Sequence, residues 1–468
     1  MRRTRIFLLS LMIVAAVFSL SCRGDKTDPR LKHGFRLPEA NGWTLVHLEG
    51  SPSEVGFQHG YLLAQEILEM QMINALELSH DYSKSWDFFR AAARDMMWPR
   101  IEPQYRQELQ GITDGVNARG VKLDLWDIVA LNGGLEWPYY LKTLDKKPKT
   151  SPSPGSVIPN HCSAFVATGS YTKDGRVVIA HNTWSPYLDG GRWTMVFDIV
   201  SEKGYRILMD GLPGFIASDD DFGLNAAGLI ITETTIDGFH GYDPAGVPEF
   251  VRARKAMQYA GSIDDFVRIM KDGNNGGYAN DWLVADRKTG EAASLELGLK
   301  HVTLERTRDG YFVGANFPIN PDLTRDETTF DRKDPGSSPN ARHARWEQLM
   351  AENKGKIDVV LAQQFLADHY DSYQKKNEPN ERTLCGHVEL SPRGWLPWLP
   401  YGPYGAAQNK VADSASAEQM SFWAAAGHAC GLDFKAAEYL KAHPEFAWQK
   451  DYLRDMPSRP WTKVEISK

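Results

Sequence analysis

Cys162 stands in the run Asn160-His161-Cys162-Ser163-Ala164-Phe165-Val166-Ala167-Thr168-Gly169, behind a segment rich in Lys, Pro and Ser at 146–159. An alternating, strand-like run follows it. A thiol at the first residue of a β-strand, just after a cleavable segment, suits one chemistry: the chain cuts itself before the cysteine. Cys162 would attack the carbonyl of His161 in an N-to-S acyl shift, and water would release the new N-terminus. The freed α-amine, with an ordinary pKa of about 7.7–8.0, is then poised to act as general base for its own thiol. Taken alone, such a thiol reads as structural, because free Cys is among the most buried residue types. The surroundings have to overturn that.

Other residues offer the groups that a thiol nucleophile needs, namely a base and an oxyanion donor. Asn316 follows a strand-like run at 311–315, and its amide could bind a developing oxyanion; removing one such donor typically costs about 10²–10³ in rate. Equally, it is a turn residue before Pro318. Glu233, Thr234 and Thr235 end an apolar strand, either lining a pocket or simply solvated. Asn280 and Asp281 follow the Gly-rich segment 273–277 and could order a site or cap the next strand. Asp219, Asp220 and Asp221 read as a solvated turn rather than a cation site. Cys385, with His387 two residues on, is a rival nucleophile, but it starts no meander, and a structural or disulfide role with Cys430 fits it better. His59 or His161 could form a Cys–His pair of the papain kind, although the papain signature around the cysteine is absent.

The bulk composition narrows the function classes. The chain has 468 residues and a net charge of -7, with no basic cluster beyond the N-terminus and the short linker, which argues against a nucleic-acid partner. Fourteen Trp suggest wide aromatic surfaces for packing or for apolar ligands. No cysteine spacing resembles a zinc site, and no phosphate loop or dinucleotide fingerprint appears. The expectation is therefore no metal and no cofactor.

The first residues read as an export signal. Met1-Arg2-Arg3-Thr4-Arg5 is basic, 6–20 is apolar but short for a membrane span, and Ser21-Cys22 follows. A cysteine after a small residue there resembles the lipobox of bacterial lipoproteins, with Ser19 departing from the preferred Leu. The expectation is an exported protein, lipid-anchored through Cys22 and so membrane-associated.

The elements that must position these groups follow from hydrophobic periodicity. The run 42–48 reads as a strand. Ser51, Pro52 and Glu54 open a helix with a capping box, and further helical runs fall at 86–98, 104–117 and 125–131. After 145 the pattern changes to period-two strands joined by turns at Asp174-Gly175, Lys203-Gly204, Thr289-Gly290 and Asp309-Gly310. The hairpins place strands at 162–168 with 176–180, 193–200 with 205–209, 282–285 with 292–297, and 302–306 with 311–315. A further strand reads at 229–235, with helices at 249–260 and 263–270. Two antiparallel sheets with helices outside are expected.

The chain resembles the N-terminal-nucleophile hydrolases here, and most closely the phospholipase B-like proteins. The resemblance runs through His181-Asn182-Thr183-Trp184-Ser185-Pro186-Tyr187 and the stretch 211–222. It continues through Gly228 to Thr235, Asn280-Asp281-Trp282 and Lys410-Val411-Ala412-Asp413. A second similarity, to the isopenicillin N acyltransferase family, lies in Gly56-Phe57-Gln58-His59-Gly60, Asn160-His161-Cys162-Ser163 and Gly314-Ala315-Asn316-Phe317. The resemblance implies an α+β fold, a four-layer αββα sandwich with a mainly helical N-terminal segment. It divides the chain into a signal at 1–22, a helical segment with its linker at 23–161 and a catalytic domain at 162–468. It implies self-cleavage between His161 and Cys162, and hydrolysis of an acyl ester or amide such as a phospholipid or fatty-acyl amide. In such enzymes, polar residues about twenty positions after the nucleophile hold its amine and the substrate. Here those positions are His181 and Asn182, where several cousins carry Arg and Asp, and Trp184 belongs to the same run. The alternatives are an acyltransferase or amidase, or a ligand-binding lipoprotein on a degenerate hydrolase fold. Oligomeric state is not readable.

Overall fold

The computed structural model describes residues 28–144, 161–218, 222–391 and 402–466. The readings at Cys22, in the linker at 146–159 and at Asp219, Asp220 and Asp221 lie outside the described residues.

The fold is mixed α+β around two large sheets. The nine-stranded sheet has the order β1 (Phe35–Arg36), β2 (Thr44–Gly50), β5 (Met195–Ser201), β6 (Ile207–Gly211), β7 (Gly223–Asn225), β8 (Leu229–Thr235), β9 (Asn280–Asp286), β10 (Glu291–Leu297) and β11 (Val302–Thr307). The six-stranded sheet has the order β12 (Gly310–Gly314), β3 (His161–Thr168), β4 (Val178–Pro186), β15 (Tyr404–Asp413), β16 (Ser421–Ala426) and β17 (Thr462–Glu465). A small ribbon pairs β13 (Tyr370–Asp371) with β14 (Lys376–Asn377). β2 and β5 pair in parallel; their neighbours in the large sheets run antiparallel.

Period-two alternation sorts the side chains of each strand between two faces. Ala164 and Val166 of β3 and Ile179 of β4 join Val196, Leu208, Ile230 and Leu283 of the other sheet in one buried cluster. Their sequence neighbours Phe165, Ala167, Val178 and Ala180 face the other way. These pack with Trp346 and Leu349 of helix Ser338–Glu352 and Phe365 of helix Val359–Leu366. On the nine-stranded sheet, Val46, Phe197, Ile231 and Trp282 pack with Ile67, Leu109, Ile128 and Phe266 from the helices that cover it. Each large buried side chain contributes roughly 1.5–3 kcal/mol, and slipping one strand by a residue would exchange the side chains of the inter-sheet layer with those of the outer layer along its whole length.

Helix Pro52–Leu62 starts with the expected capping box: the Ser51 N–H donates to Glu54 Oε2 at 2.8 Å. It lies against helix Pro103–Ala118 at glycine contacts. A Cβ on Gly56 would meet Glu108 O at 1.9 Å, and one on Gly60 would meet Ile112 O at 2.0 Å. The run Gly56-Phe57-Gln58-His59-Gly60 therefore has a packing reason.

Three sequence expectations change. The helix at 86–98 is helical only over Trp86–Ala92 and then passes into a π turn, Ala93–Met97, and a 3₁₀ turn, Trp98–Arg100. Pro99 supplies no backbone donor to continue the α-helix. The strand expected to end at 180 continues to Pro186; the polar residues Asn182, Thr183 and Ser185 conceal it because both faces of β4 are buried. The expected hairpin across Asp309-Gly310 is instead a crossover: β11 ends the nine-stranded sheet and β12 edges the six-stranded one, beside β3. Among the described residues, no helix is long and apolar enough to cross a membrane.

Candidate functional site

Cys162 is the second residue of β3 and is buried. It pairs with Thr183 on β4, and Ala164 pairs with His181. Because partners in register share a face, Cys162, Thr183 and His181 all point toward the nine-stranded sheet, on the side of Ala164 and Val166. The inter-sheet layer is apolar along most of its length and turns polar at this end. The Cys162 Sγ, a ring nitrogen of His181 and a carboxylate oxygen of Glu233 lie within 4.8 Å of one another. Glu233 also accepts a hydrogen bond from the Tyr278 hydroxyl at 2.9 Å. Thiol, imidazole and carboxylate are the groups that a proton-shuttling nucleophile needs, and they are also metal-ligand types.

The backbone of Cys162 is held from the β12 side. The β11–β12 crossover brings the residues after Gly314 alongside the start of β3. The Cys162 N–H donates to Asn316 Oδ1 at 3.1 Å, and Asn316 Nδ2 donates to Thr235 O at 2.7 Å. Asn316 has φ +62°, a left-handed conformation that Asn tolerates better than most residues. Its amide thus spans the two sheets, from β3 to the end of β8.

Arg342 went unread in the sequence. From helix Ser338–Glu352, its Nη1 donates to Cys162 O at 2.5 Å and to Ser163 Oγ at 3.2 Å. Its Nη2 donates to Asn316 Oδ1 at 2.8 Å. The guanidinium is fully buried, 4.5 Å from the Trp184 ring centroid. Burial lowers its pKa to about 10, against the opposing pull of Cys162 and Asp237, so it is a cation at neutral pH. The available signal was an Arg on the apolar face of a helix, four residues before the fully buried Trp346.

A second buried pair lies beside the thiol. Lys410, paired in register with His181, contacts Asp210 of β6 across the sheets and Thr183 of β4. Asp210 also accepts from Ser218 Oγ at 2.5 Å. Lys410 and Asp210 are both fully buried.

The remaining expected site residues divide. Asn182 and Trp184 face away from Sγ, because they alternate with His181 and Thr183. The Asn182 amide donates to Leu366 O and Leu384 O, both at 2.9 Å, which ties the strand to the layer behind it. Trp184 packs with Val388, Tyr404 and Ala406. Thr234 faces β12, where a Cβ on Gly314 would sit 2.5 Å from its Cγ2, and Thr235 contributes its carbonyl to Asn316. Asp281 pairs with Thr234 and accepts from Ser294 Oγ at 2.6 Å; burial, with Glu296 nearby, pushes its pKa up to about 7. Asn280 is fully buried, opposite Thr235. The rival His59 accepts the Gly214 N–H at 2.9 Å, and burial holds its pKa down to about 3, so it is a neutral acceptor fastening a turn.

The phospholipase B family model matches residues 71–459. The chain belongs to the phospholipase B family. The match takes in β3, β4, β8, β12 and helix Ser338–Glu352, and with them Cys162, His181, Glu233, Asn316 and Arg342. A putative phospholipase B-like 1 protein of Caenorhabditis elegans is 26% identical over 365 residues, covering 64% of this chain and 62% of that protein. An uncharacterized protein of Archaeoglobus fulgidus is 25% identical over 278 residues, covering 58% of this chain and 45% of that one. The chain thus spans less than two thirds of the length of these relatives. Among solved structures, penicillin V acylase from Agrobacterium tumefaciens aligns with a TM-score of 0.34 and 14% identity, over 57% of this chain and 83% of that one.

Proposed function

We propose that this chain is a self-processing cysteine hydrolase on an αββα sandwich, cleaving an acyl ester or amide with Cys162 as nucleophile. The observation that carries the reading is the enclosure of one residue. Its thiol lies by His181 and Glu233, its N–H is held by Asn316 and its carbonyl by Arg342. Any buried backbone needs partners for its N–H and C=O, but a structural thiol does not call for an imidazole and a carboxylate beside its sulfur.

In the first step Sγ attacks the His161 carbonyl carbon, the C–N bond to Cys162 breaks, and the nitrogen takes the proton. Water then hydrolyses the thioester, leaving a carboxylate on His161 and a free thiol and α-amine on Cys162. Asn316 Oδ1, which accepts the Cys162 N–H before cleavage, holds the α-amine after it. The buried guanidinium of Arg342 favours the thiolate by Coulomb attraction. In turnover the α-amine removes the thiol proton, Sγ attacks the substrate acyl carbon, and the protonated amine delivers its proton to the leaving alcohol or amine. Water, activated by the same amine, hydrolyses the thioester. An amine acceptor in place of water would turn hydrolysis into acyl transfer.

Two further expectations belong to this reading. The segment before the cleavage point stays bound, because β2 pairs with β5 over Thr44 to Gly50 and the helices at 52–144 share the core of the nine-stranded sheet. The enzyme is exported and tethered through a lipid on Cys22, which would present it to phospholipids or fatty-acyl amides.

Intact-mass measurement tests the reading. The wild-type protein should give two fragments meeting at His161/Cys162, and Cys162→Ala should remain a single chain. A wild-type chain that stays whole, with the same mass behaviour as Cys162→Ala, would sink the self-processing reading. With cleavage seen, release of fatty acid from phospholipid vesicles against release from N-acyl amines decides the substrate class.

A further inference from the structure

Behind β4, on the face away from Cys162, four ligand side chains converge from segments distant in sequence. One ligand atom each from His369, Cys385, His387 and Cys430 lies within 4.8 Å of the other three. We propose that these four residues form a closed, tetrahedral structural site for a thiophilic divalent cation of the zinc class. The ligand set, two thiols and two imidazoles, is one that zinc occupies in structural sites.

The distances match such a centre. With Zn–S near 2.3 Å and Zn–N near 2.05 Å, tetrahedral geometry puts sulfur and nitrogen ligands about 3.5 Å apart. His387 Nε2 lies 3.5 Å from Cys385 Sγ and 3.4 Å from Cys430 Sγ. The other ring nitrogen, Nδ1, lies 2.9 Å from Glu389 Oε1, which directs the Nε2 lone pair at the two sulfurs. A cation placed between the three atoms would accept the imidazole nitrogen and both sulfurs as ligands at once. His369 Nε2 is buried without a hydrogen-bond partner among the described residues, and its ring lies 5.1 Å from that of His387. Both thiols are free rather than joined.

The support around the ligands is also that of a metal centre. Glu389 fixes the tautomer of His387, and its second oxygen accepts from the Tyr187 hydroxyl at 2.8 Å. A carboxylate behind a ligating imidazole in this way orients it and raises its basicity. With four protein ligands the site has no open position, so the role is a clamp.

What it clamps is the back of the candidate catalytic strand. The segment carrying Cys385 receives the Asn182 amide at Leu384 O. It also lays Gly386 on the Trp184 indole so closely that a Cβ there would be 2.0 Å from the ring. Trp184 in turn supports Arg342. Binding would fasten the turn holding Cys430, after β16, to the segment 369–387 and press both against β4. The ligand spacing in sequence resembles no zinc signature; only the fold assembles it.

Metal analysis of the purified full-length protein, made with zinc in the medium, tests this without an activity readout. The expected result is about one zinc per chain, retained in Cys162→Ser and lost in Cys430→Ser and His387→Ala. Because those variants could misfold, the wild type is also stripped with a chelator under reductant and reloaded with Co²⁺. It should then show thiolate-to-cobalt charge transfer and the visible bands of tetrahedral coordination, and its melting temperature should recover. Wild-type protein that takes up neither metal overturns the proposal. So does an intact mass lower by two hydrogens, reporting a Cys385–Cys430 disulfide in the native protein, or metal content equal in wild type and Cys430→Ser.

Discussion

Arg342 and Cys162 are joined through the main chain. Arg342 Nη1 donates to the Cys162 carbonyl at 2.5 Å, while Nη2 donates to the same Asn316 oxygen that accepts the Cys162 N–H. One planar guanidinium thereby fixes both peptide groups of a single residue. Lysine carries the charge but lacks the fork. Arg342→Lys should slow self-cleavage about a hundredfold, the scale of a misplacement of about 1 Å at a reacting centre. Arg342→Met should in addition cost about 1–3 kcal/mol, because buried acceptors lose their donor. The rate at which fragments appear on a gel, with melting temperature alongside, checks both. Wild-type cleavage kinetics in Arg342→Lys would remove Arg342 from the positioning of Cys162.

Asp281 sets a pH dependence of stability. Its folded pKa, about 7, lies above its ordinary 3.8, so the folded protein holds this proton more tightly than the unfolded chain does. The penalty is absent below about pH 4, grows as the unfolded carboxyl ionises and is complete above about pH 7. The difference corresponds to on the order of 4 kcal/mol. Asp281→Asn can still accept from Ser294 and should be more stable than wild type at pH 8, with the gap closing as pH falls to 4. Melting curves of both proteins across that range would show it; a gap independent of pH would contradict the assignment.

Lys410 and Asp210 form an ion pair with neither partner exposed. Removing one partner strands the other charge, so Lys410→Met should lose about 3–5 kcal/mol. Combining it with Asp210→Leu should recover most of that loss. Urea unfolding of the two single variants and the double variant is the measurement, and strictly additive losses would refute the coupling.

Gly56 leaves no room for a side chain, since a Cβ would lie 1.9 Å from Glu108 O, a backbone atom that cannot swing aside. Gly56→Ala should therefore force the two helices apart and destabilise the fold by about 1–3 kcal/mol or more. Thermal unfolding of the variant checks it, and an unchanged melting temperature would be incompatible with this packing.

Local signals were legible wherever one rule decided the outcome. The capping box at Ser51 and Glu54, the strand Leu229–Thr235 and the helix from Glu249 follow from nearest neighbours and periodicity. Legibility failed where a strand is buried on both faces. The polar residues of β4 read as a strand end, yet Asn182 and Thr183 are buried and continue the ladder to Pro186. Arg342 was missed because a lone Arg in a helix gives no hint of a strand end that lies 180 residues away in the chain.

The sequence by itself determined the family, the strand-like run that follows Cys162 and the alternation of side chains within that run. These depend on residue order and on a strand's period of two. Tertiary structure alone decided which groups meet. The crossing from β11 to β12 sets Asn316 beside Cys162, helix Ser338–Glu352 brings in Arg342, and β8 delivers Glu233. It likewise decided that His369, Cys385, His387 and Cys430 converge. Contacts between distant segments are set by how sheets and helices stack to bury apolar surface, and that stacking leaves no periodic trace in the residues that meet.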